Sequence, residues 1–250
     1  MMDEVSIQRD YFTNIAVGYD MNHSIIDDHW VAFAWLEGLF HLYGFESCCE
    51  VGAGTGRHLL GLQARFPNTR FIGVEPVEAM RQQGYAKGIS KDVLVDGDGN
   101  HLQFPDESFD VVVEFACLHH LRYPDRVIAE MLRVAGKAIF ISDSNNFGHG
   151  TLLVRQTKKG LRNLRLWSVF DFIRSYGRRY YISQGDGVAY SYSVFNNLAQ
   201  INKACAGGVH ILNSSRLAGR ITSDLLTSAS TVALLGLKSE VSKLGSRYCQ

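Results

Sequence analysis

Five short β-rich runs, at residues 47–51, 70–75, 92–96, 109–116 and 137–143, follow one another along this chain, and each is separated from the next by a segment long enough for a helix or a crossover. Strands joined by such connections pair in parallel, and a parallel sheet has to bury both of its faces. The rhythm therefore predicts an α/β fold of the Rossmann-like, doubly wound type. Two later runs, 209–212 and 231–237, add further strands. The second of them, Thr-Val-Ala-Leu-Leu-Gly-Leu, is expected to close the sheet edge.

Helix signals fill the gaps. Ser24-Ile25-Ile26-Asp27 has the form of a capping box, and Trp30, Val31, Ala34, Trp35, Leu39 and Leu42 then recur at helical spacing until Gly44 offers a stop. Pro124 suits a first helical position, Val127, Ile128, Met131 and Leu132 make a stripe, and Gly136 is the expected stop. Residues 151–181 read as largely helical through Leu161, Leu164, Trp167, Phe170 and Ile173. The chain thus divides into an N-terminal lid with cap helices (1–44), a ligand-binding core (45–145), a basic helical insertion (146–208) and final strands that complete the sheet (209–250).

Composition excludes several classes. The 25 Lys and Arg residues balance 25 Asp and Glu residues and 46% of the chain is hydrophobic, which fits neither a disordered segment nor a generally basic nucleic-acid binder. The longest apolar stretch, 31–45, is broken by Glu37 and His41 and falls short of the roughly 18–20 residues a membrane span needs, so no transmembrane helix is expected. The acidic start Met1-Met2-Asp3-Glu4 lacks the features of a secretory signal, which makes the cytoplasm the expected compartment. Five cysteines without C-x-x-C or C-x-x-H spacing suggest no disulfide framework and no zinc site, and Cys48, Cys49 and Cys117 read as small buried hydrophobes.

The sharpest motif is Glu50-Val51-Gly52-Ala53-Gly54-Thr55-Gly56, which ends the first strand and opens a helix. Glycines allow a tight turn and close approach of a ligand, while free N–H groups at a helix start favour negative charge. A dinucleotide loop requires G-x-G-x-x-G, but the sixth position is Arg57 counting from Gly52 and Leu59 counting from Gly54. A nicotinamide dehydrogenase is therefore disfavoured.

An acidic residue followed by G-x-G-x-G resembles motif I of the class I S-adenosylmethionine-dependent methyltransferases, the broad small-molecule group that includes quinone C-methyltransferases. Four more segments match that family in order. Glu75-Pro76 ends the second strand about 20 residues beyond the loop, where an acid takes both ribose hydroxyls. Gly97-Asp98-Gly99 and the following Leu102-Gln103-Phe104-Pro105-Asp106 resemble the stretch whose Asp meets the adenine amino group. Cys117-Leu118-His119-His120-Leu121 follows the fourth strand, and Tyr11-Phe12, Ala16 and Tyr19-Asp20 resemble the N-terminal lid with one extra residue of spacing. The resemblance implies S-adenosyl-L-methionine as cofactor and a seven-stranded sheet whose last strand is antiparallel. It also implies cofactor contacts at Tyr19, Glu50, Gly52, Ala53, Gly54, Gly56, Glu75, Pro76, Asp98, Gly99 and Ala116. The family's turn before the fifth strand is shortened to Arg133-Val134-Ala135-Gly136-Lys137.

The expected reaction is methyl transfer to a small-molecule or glycan-type acceptor, with O-methylation favoured. A hydroxyl acceptor needs a base, for which His120 comes first and Asp143 second. Residues 151–181 hold eight basic residues against Asp171 alone, a net +7 opposed by −7 in the rest of the chain. That segment suggests an anionic acceptor held by Arg162 and Arg165, or an anionic membrane surface. His119, Tyr190 and Tyr192 complete the expected acceptor contacts, because Gly185-Asp186-Gly187 reads as a loop able to reach the pocket; the same tyrosines with Phe195 also read as core. A C-methyltransferase acting on a quinone-like ring, or a non-enzymatic cofactor-binding protein of the same fold, are the alternatives. No nucleic-acid partner is expected.

Overall fold

A computed structural model describes residues 3–22, 29–215 and 224–239. The elements in chain order are α1 (Glu4–Ile15), α2 (Tyr19–Asn22), α3 (Trp30–Tyr43), β1 (Ser47–Val51), α4 (Arg57–Arg65), β2 (Arg70–Val74), α5 (Glu78–Ala86), β3 (Leu94–Val95) and β4 (Phe109–Phe115). They continue with α6 (Pro124–Val134), β5 (Ala135–Ser144), α7 (Leu152–Asn163), α8 (Trp167–Arg174), β6 (Tyr180–Ser183), β7 (Gly187–Tyr190), α9 (Leu198–Ala204), β8 (Gly208–Asn213), α10 (Leu225–Ser228) and β9 (Thr231–Leu237).

Seven strands form one sheet in the order β3-β2-β1-β4-β5-β9-β8, and the first five run parallel. β9 is antiparallel to both of its neighbours. It lies inside the sheet and leaves the edge to β8, which corrects the expectation that 231–237 closes the sheet. The apolar content explains the order, since every residue of β9 is buried whereas β8 is half-buried throughout most of its length. An interior strand has both faces covered and both ladders paired, so the more apolar run takes that place.

Alternation along the strands feeds two cores. Cys48, Val111, Val113 and Phe140 face α3 and α4 together with Phe33, Leu36, Phe40 and Leu62. Cys49, Val112, Ile139 and Ile141 face α6 and α9 together with Ile128, Met131 and Ile201. α3 ends as its sequence suggests, with Gly44 left-handed and its N–H donating to the Phe40 carbonyl at 2.9 Å. The capping box at 24–27 lies outside the described residues. α6 begins at Pro124 but does not stop at Gly136: the chain passes from Val134 directly into β5, where Ala135 pairs with Phe109 and the Glu107 N–H caps the Arg133 carbonyl at 2.9 Å. Pairing with β4 thus ends the helix where local glycine chemistry was expected to.

The segment after β5 forms two helices and then a separate two-stranded hairpin, β6–β7, which lies against α1. Met131 is fully buried in the second core, while Leu153 on α7 is 77% exposed. Met131→Ala is expected to lower unfolding stability by about 2–4 kcal/mol in urea titrations, and Leu153→Ala to change it by less than about 0.5 kcal/mol.

Candidate active site

The carboxyl ends of β3, β2, β1 and β4 lie side by side and open into a cavity of about 220 Å³. Asp98 and Gly99 line it beyond β3, Glu75 and Pro76 beyond β2, Gly52 and Gly54 beyond β1, and Ala116, Cys117 and His120 beyond β4. This crevice at the strand ends is where an open α/β sheet binds ligands. Tyr19 and Phe12 cover the cavity from the N-terminal elements, together with Val5, Gln8 and Arg9 of α1.

Gly52 has φ +71, and a Cβ there would sit 2.7 Å from the Cβ of Cys117, so both conformation and crowding require glycine. Its N–H and that of Ala53 donate to the Val74 carbonyl at 2.9 and 3.1 Å, which ties the loop to β2. Glu75 clamps the loop from the other side: Oε2 accepts from Gly54 N at 2.9 Å and Oε1 from Val77 N at 2.8 Å. Burial pushes the Glu75 carboxyl up to about 7, with those two N–H groups pulling the other way. Asp98 Oδ1 accepts from the backbone and side-chain nitrogens of Asn100 at 2.9 and 2.8 Å, so a turn holds it at the cavity. A left-handed loop, a buried acid one strand over and a second acid two strands over fit an adenosine-type ligand laid across the strand ends.

At the β4 end the chemistry changes from carboxylate to imidazole. Ala116 takes φ +57, an uncommon conformation for a residue with a Cβ, and turns the chain into the short helical turn Leu118–His120. Asp143, fully buried at the end of β5, organises this turn. Its Oδ2 accepts from Leu118 N at 2.8 Å and from His119 N at 3.3 Å, while Oδ1 accepts from His119 Nδ1 at 2.7 Å and also from Ser144 N. Both oxygens are committed and Asp143 does not line the cavity, so it positions His119 and is not placed to take a proton from an acceptor. Burial disfavours charge on His119, but Asp143 and then Asp186 outweigh it and hold the imidazole at about 10. Neighbouring Glu114 is pushed well up by burial and then by the Asp143 charge.

His120 lies beside this pair and does line the cavity. Its Nδ1 lies 2.7 Å from the Val188 carbonyl, an acceptor, and 2.9 Å from Gln8 Nε2, a donor; the shorter contact is a hydrogen bond when Nδ1 carries the proton, which leaves the lone pair on Nε2. Burial first, and the charge on His119 second, bring His120 down to about 4, so it is neutral at physiological pH. Asp186 lies near both rings, 3.5 Å from His119 Nε2 and 3.6 Å from His120 Nε2. These three residues have donor types that also bind metals, and their ligand atoms lie within 4.8 Å of one another. His119 Nδ1 and Nε2 face Asp143 and Asp186 at 2.7 and 3.5 Å, so in this structure the three residues take part in an ion-pair network.

Asp186 and Val188 come from the tip and start of the β6–β7 hairpin, so the loop 185–187 does reach the pocket. Gln8 joins hairpin and lid: its Oε1 accepts from Val188 N, and Tyr11 donates to the Gln184 carbonyl at 3.1 Å. A Cβ on Gly187 (φ +63) would fall 2.5 Å from Gln8 Oε1. Gln8, Arg9 and Asn100 carry no signal in the sequence that marks them as site residues. Asp186 was visible only as part of a loop signal.

Several expected residues lie elsewhere. Glu50 points to the opposite side of β1, with Oε1 3.3 Å from His58 Nδ1. Ala53 is buried beneath the loop and Gly56 forms the left-handed start of α4; neither lines the cavity. Arg162 stacks on Phe147 at 4.9 Å and donates to the Phe195 carbonyl at 3.3 Å, while Arg165 is an exposed turn residue. The structure brings neither arginine to the pocket. Tyr192 is buried in the second core, and Tyr190 stays outside the cavity lining.

This sheet order with a glycine loop and a paired acid defines the class I methyltransferase architecture. Residues 49–139 match the methyltransferase domain family, and over that stretch the chain is similar to class I S-adenosylmethionine-dependent methyltransferases. The plantazolicin methyltransferase BpumL, solved in complex with SAH and a desmethylPZN analogue, superposes with a TM-score of 0.60 at 14% identity, covering 94% of this chain and 96% of that one. A possible histamine N-methyltransferase from Thermotoga maritima gives 0.54 at 19% identity, covering 92% and 99%. The demethylmenaquinone methyltransferase of Roseiflexus sp. (strain RS-1) is 33% identical over 132 residues, 50% of this chain and 53% of the relative. Ajmaline N-methyltransferase of Rauvolfia serpentina is 31% identical over 96 residues, 37% and 33% of the two chains. The chain spans about half or less of the length of these curated relatives.

His119 is charged in the fold up to about pH 10 but only up to 6.5 in the unfolded chain. Its contribution to stability is therefore fully present below pH 6.5 and is lost as pH rises through 10. The difference in urea midpoint between the native chain and His119→Gln is expected to be constant below pH 6.5 and to shrink steadily toward pH 10; a difference that grows with pH would show that His119 is neutral in the fold.

Proposed function

We propose that this chain transfers the methyl group of S-adenosylmethionine to a hydroxyl of a small-molecule or glycan-type acceptor, with His120 as the proton acceptor. The observation that carries this reading is a neutral imidazole, with its Nε2 lone pair available, at the end of the cavity opposite Asp98. When bound, the cofactor supplies a sulfonium-activated methyl group. Glu75 would hold the ribose hydroxyls, Asp98 the adenine amino group, and the loop at Gly52–Gly54 the part between them. Ala116 and His120, at the β4 end of the cavity, would then face the reacting end.

The residues of the chain do the remaining work. The charge on His119 keeps His120 deprotonated until an acceptor hydroxyl gives up its proton to Nε2, and the Asp186 carboxylate at 3.6 Å then stabilises the imidazolium. Phe12, whose ring meets His120 edge-on at 5.4 Å, and Tyr19 close the cavity and exclude water. Since none of the basic residues of 151–181 lines the cavity, Arg9 is, among the described residues, the cation available to an anionic acceptor there.

C-methylation of a lipophilic ring is the second reading, supported by the apolar walls at Phe115, Leu121 and Val127 and by the demethylmenaquinone methyltransferases among the relatives. Incubation of hydroxylated and quinone-like acceptors with labelled cofactor, followed by mass spectrometry of the products, separates the two. His120→Asn is expected to lower kcat for a hydroxyl acceptor by about 10²–10⁴. Cofactor affinity unchanged and kcat unchanged in that variant would remove His120 as base. In calorimetry, Glu75→Ala is expected to weaken S-adenosylhomocysteine binding by about 1.5–3 kcal/mol. Hydroxyl donors favour the carboxylate form of Glu75, so native affinity should be full above pH 7 and fall as pH drops through about 7.

A further inference from the structure

α8 is built inside out. In its sequence Trp-Ser-Val-Phe-Asp-Phe-Ile-Arg the buried residue is Asp171, 8% exposed, while Val169, Phe170, Phe172 and Ile173 face solvent, the last 68% exposed. Asp171 anchors the helix from within, its Oδ1 accepting from Tyr181 Oη at 2.8 Å and from Ser191 Oγ at 2.5 Å. An eight-residue helix is marginal by itself in water, so these bonds hold an apolar face outward against the hydrophobic effect. The turn that follows adds Tyr176, 88% exposed. Three of the five non-glycine residues with positive φ among the described residues, Arg165, Tyr176 and Arg179, flank this helix, and such strain persists where a surface is put to use.

Cations frame the apolar face. Arg178 lies over Tyr180 at 5.8 Å and Arg179 over Phe172 at 5.4 Å, and among the described residues neither makes an ion pair with a carboxylate. Residues 164–182 carry Arg165, Arg174, Arg178 and Arg179 against Asp171 alone, a net +3. We infer that residues 164–182 form a docking surface for an anionic lipid bilayer, with the aromatic and aliphatic side chains entering the interface and the arginines meeting lipid phosphates. Charge selects this occupant: pairing two copies face to face would set the same cations against each other, whereas an anionic surface matches them. No described helix is long and apolar enough to cross a membrane, so the chain would lie on the surface. β6 starts directly after Arg179 and its hairpin carries Asp186 to the pocket, so one hairpin joins the docking surface to the site. The docking itself does not depend on the methyl-transfer reading.

The test is co-sedimentation of the full chain with vesicles of phosphatidylcholine alone or mixed with phosphatidylglycerol. Binding is expected only to the anionic vesicles and is expected to fade in 0.5 M salt as the charges are screened (Debye length between about 3 and 8 Å). Arg178→Gln with Arg179→Gln should weaken binding about thirtyfold, which is about 2 kcal/mol at 1.4 kcal/mol per tenfold. Phe170→Ser with Ile173→Ser should abolish it, with unchanged circular dichroism and unchanged S-adenosylhomocysteine affinity. Equal binding to neutral vesicles, no binding to anionic ones, or full binding by both double variants would overturn the proposal. So would a dimer in analytical ultracentrifugation that the Phe170/Ile173 variant dissociates, since a second copy would then own the face.

Discussion

Asp143 is the contact on which the site depends. A carboxylate with no exposure to water, set in the middle of a seven-stranded sheet, persists only because four N–H donors from the Leu118–His119 turn and Ser144 converge on it. Three of those donors come from the segment that leaves β4, so the charge of β5 dictates how the chain turns after β4. The turn in turn places His119 against Asp143 and His120 against the cavity. Replacing the carboxylate would leave a buried imidazolium without its partner and a turn without its acceptor.

The two adjacent histidines are chemically distinct because of this contact. His119 faces two aspartates and stays protonated. His120 faces a backbone carbonyl and a positive neighbour, and stays neutral. Two identical side chains at consecutive positions thus take opposite protonation states, because one faces carboxylates and the other a carbonyl and a cation. The N-terminal helix and the β6–β7 hairpin complete the arrangement from outside the sheet, since Gln8 and Val188 fix the ring of His120 and Asp186 closes the far side. The site is therefore assembled from the chain's first helix, its central strands and its insertion.

Much of this was legible in the sequence. β1 matches its run residue for residue, and the other core strands differ by one to three residues, because parallel core strands must be near-continuous apolar runs and glycine loops mark their ends. Glu75, Asp98 and His120, singled out by their order after the loop, all line the cavity. Less legible were the partners set by long-range approach. Gln8 lies 112 residues from His120 and 180 from Val188, and no local pattern records such contacts. Arg162 looked like an acceptor ligand by charge count, yet it stacks on Phe147, because a guanidinium satisfies an aromatic face and a carbonyl as readily as an anion.

The sequence by itself determined the periodicities and the special residues: which runs are strands, where the chain must turn left-handed, and which acids follow the loop. These are local properties, set by side-chain volume, branching and backbone freedom within a few residues. Tertiary structure decided the rest. β9 entered the sheet ahead of β8, α6 ended at Val134 without help from Gly136, Glu50 turned away from the cavity, and Asp143 became a positioning group for His119. Each of those outcomes depends on burial and on partners distant in the chain, and the free energy of a carboxylate or an imidazole is set by what surrounds it in space.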